Sequence, residues 1–172
     1  PESIPERADV VIIGGGIVGA STAWFLARQG VQVVLCEKGH IAGEQSGRNW
    51  GWVRVQGRDE REIPMMLEAL RTWESFEEET GEDVGFVRKG CRFAARTDRE
   101  MEAFANWIEV AEKFGIKSQL VSDKAMHEHS GTATRDWVGG VSTASDGRAE
   151  PQKAAPAFAR AAVRAGATIL TA

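Results

Sequence analysis

The sequence predicts an α/β fold: a doubly wound parallel sheet interrupted by an inserted α+β block. Three observations point there. Val10-Val11-Ile12-Ile13 and Val31-Gln32-Val33-Val34-Leu35-Cys36 are short, β-branched apolar runs separated by a segment of helical length, which is the pattern of a parallel βαβ unit. Gly14, Gly16 and Gly19 punctuate the passage from the first run into that helix. A second helix-then-strand pair, Pro151 to Gly166 and Ala167-Thr168-Ile169-Leu170, closes the chain after a differently patterned middle.

Each element has its own signal. Val10 to Ile13 is apolar throughout, as suits a strand covered on both faces. Ile17 to Gln29 follows as a helix, ended by Gly30. The second strand stops at Glu37. From Lys38 to Gly57 there is no period and there are five glycines; so long a loop inside a domain is usually functional. A helix is expected from about Pro64 to Thr80, because Ile63, Met66, Leu67, Leu70, Trp73 and Phe76 share one stripe. Glu77-Glu78-Glu79 oppose the dipole at its end, so its last turn is expected to fray.

Phe86 to Phe93 reads as two short strands around a turn. Thr97-Asp98-Arg99-Glu100 is a capping box. It opens a helix with Met101, Phe104, Ala105, Ile108 and Ala111 on one face, closed by Gly115. Ile116 to Val121 reads as a strand, followed by a poorly patterned stretch. Val138 to Thr143 is a further strand and Asp146-Gly147 a turn. Pro156 predicts a position in the first turns of the last helix, or a kink in it.

The glycine passage carries the chemistry. Gly14 permits a tight turn, Gly16 lets backbone approach a pyrophosphate, and Gly19 lets helix and strand pack closely. The helix start at Ile17 and Val18 then aims unpaired N–H groups and partial positive charge at phosphates. Glu37 lies 18 residues beyond Gly19, where a carboxylate accepts hydrogen bonds from a ribose. The same acid would repel the 2′-phosphate of NADP. An ordinary βαβ unit could carry a glycine turn without a ligand, but here strand, turn, helix and acid agree.

Bulk properties narrow the class. The chain has 172 residues, 42% hydrophobic and 27% charged, as in a globular protein. A net charge of −4 gives no electrostatic case for nucleic acid or an anionic membrane. Pro1 to Arg7 is polar and unlike a secretory leader, and the glycines between Val10 and Leu26 argue against a transmembrane segment. Cys36 and Cys91 form no ligand cluster, which suits a reducing, cytoplasmic setting; peripheral membrane contact stays open. His40, His127 and His129 have no further ligands near them in sequence, so no metal site is expected.

The Asp9-to-Gly19 segment with Glu37-Lys38 resembles the N-terminus of the FAD-dependent amine oxidoreductases, the family of D-amino-acid oxidase and dehydrogenase, glycine oxidase and sarcosine oxidase. Ser46-Gly47-Arg48-Asn49 and Gly51-Trp52-Val53-Arg54 are similar to the loop that this family wraps around the flavin. Asp146-Gly147-Arg148-Ala149-Glu150-Pro151 is similar to its return from the substrate domain. The resemblance implies FAD as cofactor, held by Gly14, Gly16, Ile17, Val18, Gly19, Glu37, Lys38, Ser46, Gly47, Arg48 and Asn49. Ser46 and Arg48 would meet phosphate oxygens, and Asn49 the pyrophosphate or ring edge.

Arg54 matches an arginine that some members place close to the flavin. It would stabilise reduced flavin or hold a substrate carboxylate; a plain surface charge is the alternative. Trp50 and Trp52 would flank flavin or substrate, or simply pack in a core.

The resemblance further implies residues 1–82 as the first part of an FAD-binding domain, 83–145 as part of a cap domain, and 146–172 as the return. Family members are about twice as long or more, so the chain is expected to be an incomplete fold. The parent activity implied is oxidation of a small-molecule amine or amino acid, with hydride passing to flavin N5 and the imine hydrolysed. An NAD-dependent dehydrogenase, or a non-catalytic flavin-domain fragment that self-associates through the uncovered edge of the first strand, are the alternatives.

Overall fold

A computed structural model describes residues 4–130 and 136–172, without the side chains of His129 and Ser130. Pro1, Glu2 and Ser3 of the polar start, and the His129 side chain, therefore lie outside the described residues. In chain order the elements are β1 (Val10–Ile13), α1 (Ile17–Ala27), β2 (Val33–Glu37), a 3₁₀ turn (Gln45–Gly47), β3 (Trp52–Val53), α2 (Ile63–Thr80), β4 (Cys91–Ala95), α3 (Asp98–Lys113), β5 (Ser118–Ser122), α4 (Asp123–Ser130), β6 (Gly139–Thr143), β7 (Gly147–Arg148), α5 (Pro151–Arg164) and β8 (Thr168–Thr171). They group into two units: Pro1–Gly51, Trp73–Phe86 and Ala149–Ala172 form the first, and Trp52–Thr72 with Val87–Arg148 the second.

The first unit is built on a parallel sheet of order β1-β2-β8. Ile13 lies opposite Cys36, and Glu37 opposite Thr171. Helices α1 and α5 contribute small buried residues to one core, among them Ala20, Ala23 and Ala27 from α1 and Ala155, Ala161 and Ala162 from α5. Aromatic rings fill that core: Phe76 is fully buried, 4.0 Å from Phe158 and 5.1 Å from Trp24 between ring centroids. Glu82 binds both Arg160 (2.6 Å) and Arg164 (2.5 Å) of α5. The expected fraying of α2 does not occur: helix continues to Thr80, and Glu79 is tied to Arg28 at 3.2 Å and to Ser75 at 2.6 Å.

The second unit holds an antiparallel sheet of order β4-β6-β5 and a two-residue ladder of β3 with β7. The Thr97 capping box forms as expected, Thr97 accepting from Glu100 N–H while Glu100 reaches back. Three local expectations are corrected. Phe86 to Phe93 is no hairpin: Val87 bridges to Arg148, and Cys91–Ala95 pairs instead with β6. Strand propensity marked the segment but could not name a partner so distant in sequence. The poorly patterned stretch contains α4, whose DKAMHEHS sequence buries Met126 yet offers no repeating stripe. The turn falls at Ala144-Ser145, ahead of Asp146-Gly147, because Asp146 is turned inward. Pro156 lies in the early turns of α5, one of the two expected outcomes; its ring cannot donate to the Gln152 carbonyl.

Phe76→Ala is expected to destabilise the first unit by about 3–5 kcal/mol, and Phe76→Leu by less. Urea unfolding followed by tryptophan fluorescence checks the ranking, and an unchanged midpoint for Phe76→Ala would contradict the packing described.

Candidate functional site: an open helix N-terminus beside a pinned carboxylate

The chain leaves β1 through Gly14, at a φ of 106° closed to most side chains. The Gly14 amide donates to the Cys36 carbonyl at 2.8 Å, locking the turn to the end of β2. Helix α1 then settles directly on the turn. A Cβ placed on Gly19 would stand 2.0 Å from the Gly14 carbonyl oxygen, so no other residue fits without displacing the helix.

Helix α1 starts with Gly16, which has no side chain to cap it. Ser46, from the 3₁₀ turn, supplies the cap: the Ile17 amide donates to Ser46 Oγ at 2.8 Å. The first intrahelical bond is Ala20 N–H to the Gly16 carbonyl, at 2.9 Å. The amides of Val18 and Gly19 therefore precede the ladder, and no acid occupies the first turn. Free amides with the positive end of a helix dipole form a ready anion seat.

Glu37 lies at the end of β2. Its Oε2 accepts from Gly15 N–H at 2.6 Å, and its Oε1 from Gly39 N–H at 2.8 Å. The Gly15 amide, then the Gly39 amide, hold its carboxyl below the usual glutamate value of 4.5. Each oxygen retains a lone pair for an outside hydroxyl. The donor to Glu37 was not foreseen in the sequence. Its signal was the unused middle glycine of Gly14-Gly15-Gly16, where a Cβ would come within 3.1 Å of the Glu37 side chain.

The loop beyond Glu37 folds back on the turn. The Ala42 amide donates to the Gly15 carbonyl at 3.0 Å, with Ala42 itself at a φ of 64°. A Cβ on Gly47 would lie 2.3 Å from the Ala42 carbonyl. His40, Ile41, Ala42, Gly43, Gly47, Arg48 and Gln152 line a cleft of about 430 Å³. Lys38 and Arg48 sit 3.9 and 4.0 Å from Glu44, in exposed pairs that contribute little by themselves. Gln152 had no sequence signal; it reaches the cleft because α5 begins at Pro151.

Asn49 turns inward to its own loop. Its Nδ2 donates to the Ser46 carbonyl at 2.9 Å and its Oδ1 accepts from Gly51 N–H at 2.7 Å. The side chain braces the Ser46 turn. Trp50 is 79% exposed.

Within the second unit, Trp52 packs 5.3 Å from Phe93. The Arg54 guanidinium lies 5.6 Å from the Trp52 ring and 5.1 Å from that of Phe93, close enough for cation–π attraction. Arg54 also donates to the Gln56 carbonyl. Among the described residues no carboxylate stands within ion-pair distance of Arg54, so donors of its five-N–H fork remain for an anion. His127 lies in α4 and hydrogen-bonds the Asp123 carbonyl at 2.8 Å. No cluster able to hold a metal occurs among the described residues.

Residues 9–172 match the family described as FAD dependent oxidoreductase. Over 97% of its length the chain is 30% identical to the mitochondrial pyruvate dehydrogenase phosphatase regulatory subunit of Mus musculus, of which it covers 19%. Over 95% it is 29% identical to glycine oxidase of Geobacillus kaustophilus, of which it covers 46%. The structure of L-amino acid deaminase from Proteus myxofaciens in complex with anthranilate superposes on 99% of the chain with a TM-score of 0.91 and 27% identity, 39% of that protein being matched. The chain thus spans less than half the length of each.

The depressed Glu37 carboxyl makes a prediction with a definite sign. Its contribution is complete above the ordinary value of 4.5 and is lost as pH falls through the lower folded value. The Gly15 and Gly39 amide NMR resonances are expected to titrate together below pH 4.5, and Glu37→Gln to abolish the transition. A common midpoint above that value would contradict the pinned carboxylate.

Proposed function

The chain belongs to the FAD dependent oxidoreductase family, and from that premise we propose that it is the ADP-holding portion of an enzyme that oxidises an amine or amino acid. The observation that carries this reading is the pairing of Glu37 with the open α1 N-terminus. Glu37 takes the ribose hydroxyls, while the Val18 and Gly19 amides and the Ser46 hydroxyl take the pyrophosphate. Arg48 and Lys38 add positive charge at the cleft mouth, and Asn49 keeps Ser46 in place. The residues fit the group: Gly16 leaves the backbone bare beside Ser46 Oγ, Gly19 lets the helix start settle on the turn, and Glu37 supplies acceptors for a sugar.

What FAD supplies when bound is a hydride acceptor for the carbon beside the substrate nitrogen, after which water hydrolyses the imine. The protein's part is to hold and orient. Arg54, held over two rings with donors to spare, receives a substrate carboxylate. Both cysteines are thiols, in keeping with a reducing compartment such as the cytoplasm.

A second reading, a nucleotide-holding module without catalysis, is favoured by the similarity to a regulatory subunit. The two separate in one experiment. Flavin bound to the full-length protein should bleach anaerobically on addition of an amino acid or N-methyl amino acid if the protein is an oxidoreductase; bound flavin that no amine reduces supports the module.

Glu37→Gln should weaken FAD binding about tenfold, the value of a charge-assisted hydrogen bond, and Gly19→Val should abolish it. Fluorescence titration checks both, and tighter binding of NADH than of FAD by the wild-type chain would overturn the cofactor assignment. β1 is an edge strand of its sheet, with Val11 and Ile13 59% and 82% exposed on one face, and the chain by itself should associate along that edge. Light scattering should show a multimer that Ile13→Lys returns to monomer; a wild-type monomer would refute the association.

A further inference from the structure

We infer that Asp146 is the positioning residue of the Arg54 cation. This inference rests on the proposed role of Arg54 as an anion receiver, and it gives a function to a buried acid that the cofactor site does not use.

Asp146 is fully buried. Its Oδ1 accepts from the Val55 amide at 2.9 Å and its Oδ2 from the Gln56 amide at 3.1 Å. Those two amides immediately follow Arg54, and the carbonyl of the second residue, Gln56, is the one to which Arg54 donates. The carboxylate thus clamps the peptide segment on which the guanidinium rests. Val55 and Gln56 are themselves buried, at 0% and 1% exposure, so the clamp cannot be replaced by water at the same points.

The Gln56 side chain is held from the other direction. The Trp107 indole only donates, and it donates to Ser118 Oγ at 3.3 Å. Ser118 Oγ and Thr143 Oγ1 are 2.6 Å apart, and Thr143 Oγ1 donates to Gln56 Oε1 at 2.8 Å. The chain of donors therefore ends on Gln56. Gln56 Nε2 meanwhile has no partner among the described residues, a buried cost that a purely structural residue would ordinarily avoid. Backbone and side chain of Gln56 are both fixed, and the effect is to fix one carbonyl. With that carbonyl and the Trp52 and Phe93 rings as its seat, Arg54 is held in one orientation before any anion arrives, so little rotamer freedom is left to lose on binding.

Burial pushes the Asp146 carboxyl up from its ordinary value, while the Val55 and Gln56 amides and then Arg54 and Arg58 pull it down. Cys91 is pushed up by its own burial and by Asp146. The clamp needs two acceptors. Asparagine offers one oxygen and turns its NH₂ toward the second amide, so Asp146→Asn removes the hold on one of Val55 and Gln56 with almost no change in volume.

The test is solution NMR of the chain, observing the Arg54 Nε–Hε group and the backbone amides, with benzoate as the anionic probe. In the wild type the Val55 and Gln56 amides should be protected from exchange, and Arg54 Hε should lie upfield of other arginines from the ring currents of Trp52 and Phe93. In Asp146→Asn, with the β4–β6 amide resonances unchanged, Arg54 Hε should return to the common arginine position. Benzoate affinity read at that resonance should fall about tenfold or more. An Asp146→Asn protein with Arg54 and benzoate binding unaltered overturns the inference, as do wild-type Val55 and Gln56 amides exchanging like those of an exposed loop. If benzoate leaves wild-type Arg54 unmoved while Asp146→Asn still frees it, the positioning stands and the anion role of Arg54 fails.

Discussion

The first unit depends on one close approach, that of α1 to the turn after β1. Gly19 lies so near the Gly14 carbonyl that even a methyl group is excluded. This proximity puts the positive end of α1 at the carboxyl end of the sheet, where parallel α/β folds bind their ligands. The Gly14–Cys36 hydrogen bond then fixes that end against β2, and Glu37 is the next residue along. Gly15 is left with its amide directed at the acid. A one-residue shift in either strand would separate the acid from the helix end, because strand side chains alternate faces.

The rest of the unit keeps that approach in place. Alanines on α1 and α5 allow the two helices to share a core, while Trp24, Phe76 and Phe158 supply its bulk. Polar ties lie at the periphery: Glu82 gathers Arg160 and Arg164, and Asp83 meets Lys153 at 2.5 Å. The exposed Asp83–Lys153 pair adds little energy by itself, whereas Glu82 is largely covered. The geometric consequence of these ties is larger, since they fix the segment after α2 against α5 and so the start of α5, from which Gln152 enters the cleft.

Much of this was legible in the sequence, and unevenly so. β1, α1 and β2 were plain because apolar runs, glycine spacing and an acid coincide within a few dozen residues. The order β1-β2-β8 leaves β1 at an edge, in line with the uncovered first strand that the resemblance implies. What escaped was non-local or aperiodic. Cys91–Ala95 finds its partner in Gly139–Thr143, which no local pattern indicates. α4 has too few apolar residues to show a helical period. At the site, Gly14, Gly16, Gly19 and Glu37 fall together as their spacing implies, whereas Asn49 closes its own loop through hydrogen bonds that only the folded turn reveals. Asp146 looked like a turn residue because Asp-Gly usually is one; only the fold shows that its partners are the amides of Val55 and Gln56.

Glu37 and Asp146 use the same device to opposite ends. Each carboxylate accepts two backbone amides, and each thereby fixes a glycine-rich or irregular segment. Burial decides the difference. Glu37 is partly open to solvent, so the two amides dominate and the group stays ionised well into acid, with lone pairs left over for a ligand. Asp146 is sealed, so desolvation outweighs the same two bonds and drives its proton affinity upward. An acid of the first kind is poised to bind something from outside. An acid of the second kind has no access to a ligand, and its influence passes only through what it holds. In the proposed function, that distinction gives Glu37 direct contact with the cofactor and Asp146 indirect control through the seat of Arg54.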